Sequence, residues 1–135
     1  MIDKDFLLKV YSETEYILYD FPIIIGVNLI NSDLDLLLTK KGVSSWAFLT
    51  AWNPGSRIFS SEENRRRNQS LKNKLSDYTL LDGAGKRGDW LEESFLVLGL
   101  SSNAALELAE DYEQNAVLVG SVGQTSSLLL TTRFR

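Results

Sequence analysis

Asn53, Ser60, Glu63, Asn64 and Arg67, with Trp90 and Glu93 further along, are the residues whose types and spacing could hold a ligand. The first five fall in one run, A-F-L-T-A-W-N-P-G-S-R-I-F-S-S-E-E-N-R-R-R-N at 47–68. An apolar strand ends at Asn53-Pro54-Gly55-Ser56, and a helix opens at Ser60 or Ser61. Strand ends that feed helix starts are where α/β proteins place ligands. Stepping back by threes and fours from Leu71 and Leu75, the buried stripe of that helix reaches Asn68, Arg67 and Asn64. A core-facing stripe normally stays apolar to the helix end, so a pocket is expected there.

Each of these residues also has a structural explanation. Asn53-Pro54 suits a turn, and Ser60 with Glu63 suits a capping box worth about 1 kcal/mol. Of the three consecutive arginines, only Arg67 shares the stripe of Leu71 and Leu75. Its guanidinium either pairs inside the fold, with Glu63 or Glu93 as partner, or holds an anion by its planar fork. Glu92 and Glu93 are adjacent, so on a strand they face opposite sides and only one can enter a pocket. Glu93 is the one expected there, oriented by Arg67. The stretch D-G-A-G-K-R-G-D at 82–89 reads as a glycine-bearing connection, with Trp90 as a lid or stacking surface. It lacks the G-K-[ST] ending of a phosphate-binding loop, and turn chemistry explains it as well.

Composition limits the chemistry further. The chain has 135 residues and neither histidine nor cysteine. This excludes Ser-His-Asp and Cys-His triads, histidine or thiolate metal sites and disulfides. Proton transfer would need a perturbed carboxylate, lysine or tyrosine, so binding is favoured over hydrolysis. No loop cluster of carboxylates suggests a metal, and no cofactor is indicated. The formal charge of −4 conceals a segment, 54–88, in which eight basic side chains meet four acidic ones. That zone could attract a compact anion, or it could be a solvated helix face with ion pairs. It is too small for extended nucleic-acid binding.

The elements that must position these residues follow from periodicity. The N-terminal stretch through Val10 reads as a short helix, and 16–19 and 23–29 as strands. Asn31 or Ser32 caps a helix carrying Leu34, Leu37 and Leu38. A strand follows at 46–52, then a helix from Ser60 or Ser61 to about Leu75 and a strand at 95–100. Ser101 caps a further helix, and strands at 117–119 and 128–132 complete the order, roughly ββαβαββαββ. The expectation is one α/β or α+β domain spanning 1–135: a mixed sheet of six to seven strands with three main helices packed on it. The longest apolar runs are too short to span a bilayer, and no signal peptide is apparent at the N-terminus. The cytoplasm is the default location.

T-A-W-N-P at 50–54, S-x-x-E-N at 60–64, Arg67-Asn68, W-x-E-E-S at 90–94 and Q-N-A at 114–116 form an ordered series of blocks. Together they resemble the bacterial family catalogued as domain of unknown function 3293, over most of the chain from about Tyr16 to Leu130. The resemblance implies a small protein without an assigned activity. It places shared positions at Asn53, Pro54, Ser60, Glu63, Asn64, Arg67, Trp90, Glu93, Gln114 and Asn115. Two functions are therefore expected to compete: a pocket for a small anionic, nucleotide-like ligand, and a non-catalytic regulatory or protein-interaction module.

Overall fold

The computed structural model describes residues 3–133. Four α-helices, α1 (Lys4–Ser12), α2 (Ser32–Lys40), α3 (Ser61–Lys74) and α4 (Ser102–Asp111), pack on a seven-stranded sheet. Each helix starts at a side-chain cap, with Asp3, Asn31, Ser60 and Ser101 accepting from Phe6, Leu34, Glu63 and Ala104 amides. Such caps contribute about 1 kcal/mol each. The strands are β1 (Glu15–Leu18), β2 (Ile24–Ile25), β3 (Ser45–Leu49), β4 (Thr79–Arg87), β5 (Trp90–Leu98), β6 (Ala116–Ser121) and β7 (Ser127–Leu130). Their order is β2-β1-β4-β5-β3-β6-β7.

The fold is α+β, and the strand count is seven. Two details differ from the sequence expectation. The N-terminal helix is a full element, which makes four helices instead of three main ones. Every ladder among the described residues is antiparallel, so the sheet is not mixed. Alternating helices and strands suggested parallel neighbours. Here the connections β3-α3-β4 and β5-α4-β6 each skip one strand, and an antiparallel strand fills the gap. This βαββαβ unit, with strand order β4-β5-β3-β6, is the split βαβ or ferredoxin-like arrangement.

Strand parity divides the core into two layers. Ala47, Leu49, Phe95, Val97, Val117 and Val119 face α3 and α4, meeting Leu71, Leu75, Ala105 and Ala109. Trp46, Phe48, Leu96, Leu98 and Leu118 point to the other side, where Leu34, Leu37 and Leu38 of α2 pack on them with Tyr16, Leu18 and Ile25. The sheet curls towards this second side. Asn28 donates to the Ser126 carbonyl at 3.1 Å, and the Ser126 amide donates to the Leu29 carbonyl at 3.0 Å. The segments beside the two edge strands are thus tied together. This bridge also explains why β2 is only two residues long: Asn28 turns the chain away at φ 61°.

The largest departure is at 79–90. The glycine-bearing connection is in fact strand β4, paired with β5 along its whole length from Thr79↔Leu98 to Arg87↔Trp90. The turn is Gly88-Asp89, with Gly88 at φ 58° as a tight hairpin requires. The stretch that turn chemistry explained is a β-hairpin with long strands, and Trp90 is the first residue of β5.

Candidate functional site

Two polar regions lie at the same end of the sheet, and their geometry differs. The first is where β3 stops. Beyond Leu49 the chain leaves the sheet, and its backbone needs new hydrogen-bond partners. The polar stripe of α3 supplies them. Asn68 Oδ1 accepts from the Ala51 amide at 2.8 Å, and Arg67 Nε donates to the Ala51 carbonyl at 3.0 Å. Asn64 Oδ1 accepts from the Asn53 amide at 2.8 Å, and Gln114 Nε2 donates to the Trp52 carbonyl at 3.3 Å. Asn68 Nδ2 reaches across to the Glu93 carbonyl at 2.8 Å. The helix face therefore acts as a substitute strand for 51–53, which is why its stripe turns from leucine to asparagine and arginine.

Asn53 sits in the left-handed region at φ 46°, which asparagine tolerates better than most residues. Its Oδ1 accepts from the Phe59 amide at 2.9 Å and from Asn64 Nδ2 at 2.8 Å. Ser60 and Glu63 close the helix start: the serine Oγ accepts from the Glu63 amide at 3.1 Å and donates to the Glu63 carboxylate at 3.0 Å. The Glu63 side chain thus meets the capping hydroxyl, where the sequence suggested a reach back to the Ser60 amide.

Arg67 does differ from its neighbours. Besides Ala51 it donates to the Tyr112 carbonyl at 2.8 Å, and it lies over the rings of Phe59 and Tyr112. Its ionic neighbour is Glu113 at 3.9 Å, in place of Glu63 or Glu93. Arg57 and Arg133 approach the same carboxylate at 3.8 and 3.6 Å. The Glu93 carboxylate points to the opposite flank and accepts from the Tyr19 hydroxyl at 2.9 and 2.8 Å. Of the seven expected residues, Asn53, Ser60, Glu63, Asn64 and Arg67 gather at the strand end. Glu93 joins them through its carbonyl. Trp90 does not.

Trp90 belongs to the second region, a cavity of about 280 Å³ between α1 and the curled side of the sheet. Phe6, Leu7, Val10 and Tyr11 of α1 form its roof, and Tyr16, Phe48, Gly85, Ser94 and Ala116 its floor. Small residues at 85, 94 and 116 leave space that the helix bridges without filling. At Gly85 an added Cβ would meet Thr14 Cγ2 at 3.6 Å and the Tyr16 ring at 3.8 Å, ordinary contact distances.

Glu92 faces this cavity, sharing parity with Ser94 and Leu96. Burial pushes its carboxyl up to about 7, although Asn53 Nδ2 at 3.4 Å and the Trp90 indole favour the ionised form. No ion pair to Glu92 occurs among the described residues. Arg87, which also lines the cavity, is directed to Glu13 at 3.5 Å. The Tyr16 hydroxyl is buried without a hydrogen-bond partner. Thr14 lies beside it: the threonine hydroxyl donates to the Val10 carbonyl at 2.7 Å and keeps an acceptor site, and its contact with the phenol favours the ionised form. Burial raises the phenol of Tyr11 first and the Glu92 charge second; Tyr16 is raised by burial, then by Tyr11 and Glu92.

Sequence reasoning indicated that only one of the two glutamates could enter a pocket and placed Glu93 there; in the fold Glu92 faces this cavity and the Glu93 carboxylate meets Tyr19 on the other flank. It missed Glu92, Tyr11, Tyr16 and Phe6. The available signal was parity: Glu92 alternates with Ser94, Leu96 and Leu98, but nothing local says which side of the sheet keeps a cavity.

Among the described residues, no three acidic side chains gather as a metal ion would require, and no helix is long and apolar enough to cross a membrane. No curated protein and no solved structure matches the chain. A family model described as "Protein of unknown function (DUF3293)" matches residues 49–117. That span begins at the last residue of β3 and ends in β6, so it contains Asn53, the whole α3 stripe, Glu92 and Gln114. Since the match extends over just over half of the sequence, this chain belongs to the DUF3293 family.

Proposed function

We propose that the protein binds a small molecule in the cavity beneath α1, with Glu92 as its charged contact. The observation that carries this reading is the half-buried Glu92 carboxyl, without an ion-pair partner among the described residues, facing a cavity walled mostly by apolar and aromatic side chains. Buried polar groups are normally satisfied inside the fold, so those left over call for another partner. An apolar cavity with a few convergent polar groups is also the usual form of a ligand site.

The reading moves away from the strand-end site. The side chains of Asn64, Asn68 and Arg67 already serve the backbone there. It also moves away from an anionic, nucleotide-like ligand. Ligand pockets start at roughly 300 Å³, so this cavity suits a compact molecule, and Glu92 would repel an anion. The basic segment has other partners: Arg66 meets Glu62, Arg87 meets Glu13, and Arg57 and Arg67 meet Glu113.

The test is a fragment screen followed by amide chemical shifts. Hits should perturb Tyr11, Tyr16, Glu92 and Ala116 together, and Ala116→Leu or the milder Gly85→Ala should weaken them by filling the space. Shifts scattered over the surface, or hits indifferent to both substitutions, would reject the cavity as a site. A second reading, a protein-interaction module, rests on Leu29, Ile30 and Leu36, which are exposed around the start of α2. Serine at 29 and 36 would remove any association made there and leave fragment binding intact.

A further inference from the structure

We propose that the ligand of this cavity is an organic cation of the substituted-ammonium class. The inference rests on the cavity being a ligand site and adds the chemistry of its occupant. Five aromatic side chains line the cavity: Phe6, Tyr11, Tyr16, Phe48 and Trp90. Rings attract a cation through their quadrupole, most strongly where water is excluded; Tyr16 and Phe48 are buried, whereas Phe6 and Trp90 stand exposed at the cavity. Tyr16 and Phe48 are held edge to face at 5.2 Å, so these two rings are fixed in advance of any ligand.

Charge points the same way. The charged lining residues are Glu92 on β5 and Arg87 on β4, and Arg87 is turned to Glu13 of α1. The lining residues from α1, β1, β3 and β6 carry no charge. A buried carboxylate normally has a paired cation, and here the protein supplies none. It supplies instead two donors, the Asn53 amide and the Trp90 indole, that favour the ionised carboxylate. These donors only partly offset burial, which raises the carboxyl to about 7, so a countercharge would complete the ionised form.

Other ligand classes fit less well. An anion meets repulsion from Glu92. A neutral molecule leaves the cost of burying that carboxylate uncompensated. A metal ion would need several oxygen ligands, whereas this cavity offers one carboxylate among apolar walls. An ammonium carrying methyl or methylene groups satisfies the walls and the carboxylate at once.

Choline serves as the probe because its charge does not depend on pH, and its uncharged isostere with carbon in place of nitrogen is the control. By calorimetry at pH 8 choline should bind at least about tenfold more tightly than the isostere, the scale of one desolvated cation–π and ion-pair contact. In Glu92→Gln, which keeps an acceptor for Asn53, that preference should fall to about twofold. In wild type, choline affinity should rise with pH through 7 and level off above it, while the isostere stays flat. A carboxyl NMR titration of wild-type Glu92 guards against a variant that does not fold: saturating choline should move the midpoint down by roughly one pH unit, the equivalent of a tenfold preference. If the isostere binds as tightly as choline, or if Glu92 titrates unchanged with choline bound, the cation inference is overturned and the cavity reading survives. If neither probe binds and the fragment screen is also empty, both fall.

Discussion

The strand end and the cavity are neighbours, joined by Asn53, yet they treat buried polar groups in opposite ways. At the strand end, Asn64, Asn68, Arg67 and Gln114 are spent on the backbone of 51–53. At the cavity, Glu92 has no cation among the described residues, and the Tyr16 hydroxyl makes no hydrogen bond of good geometry. A fully satisfied polar cluster explains itself as structure. An unsatisfied one costs stability, and that cost is what the proposed ligand would offset.

The comparison breaks first if the strand-end residues prove dispensable. Asn68→Ala leaves the Ala51 amide and the Glu93 carbonyl without their partner, and should cost about 3 kcal/mol in urea unfolding. Arg67→Ala should cost about 2 kcal/mol, against less than about 0.5 for Arg65→Ala and Arg66→Ala on the exposed face. Losses below about 1 kcal/mol at both Asn68 and Arg67 would mean that the ladder is not what holds this region.

The next effect has the opposite sign. In the fold, burial keeps the Glu92 proton up to about 7, whereas the unfolded chain releases it near the ordinary glutamate value of 4.5. Between those two values the unfolded state binds fewer protons, so stability falls as pH rises, and it is flat on either side. Glu92→Gln should remove this slope and stabilise the protein at pH 8 by on the order of 2 kcal/mol. Unfolding midpoints measured at pH 4 and pH 8 would show it, and an equal slope in wild type and variant would contradict it.

The smallest effect sharpens the contrast. Tyr16→Phe deletes a hydroxyl with no partner, and should leave stability unchanged or raise it by up to about 1 kcal/mol. A loss of more than 1 kcal/mol would show that the hydroxyl is already satisfied.

Much of this was legible in the sequence, and the misses have physical reasons. Caps at Asn31, Ser60 and Ser101 were readable because capping is local chemistry between residues three apart. The polar stripe of α3 was readable as unusual, but the sequence could not say that its partners were the carbonyls and amides of 51–53. Backbone groups carry no residue code. β4 was hidden because Gly83 and Gly85 read as loop. Gly83 is required by the close approach of the Ile17 carbonyl on β1, a strand more than sixty residues away. Glu92 was passed over for Glu93 for a similar reason: which side of β5 faces a cavity depends on α1, at the far end of the chain.

The bridge from Asn28 and Leu29 to Ser126 has a consequence for how the protein is made. β1 has no partner except β2 until β4 has been synthesised, and the bridge must wait for residue 126. The βαββαβ unit can assemble once β6 has emerged, and β1 can by then pair with β4, but the Asn28–Leu29 segment still waits for Ser126. Closing a loop of about a hundred residues adds little free energy beyond closing a shorter one, so the delay is one of timing more than of stability. On a ribosome, the roof of the cavity would be synthesised first and set in place among the last.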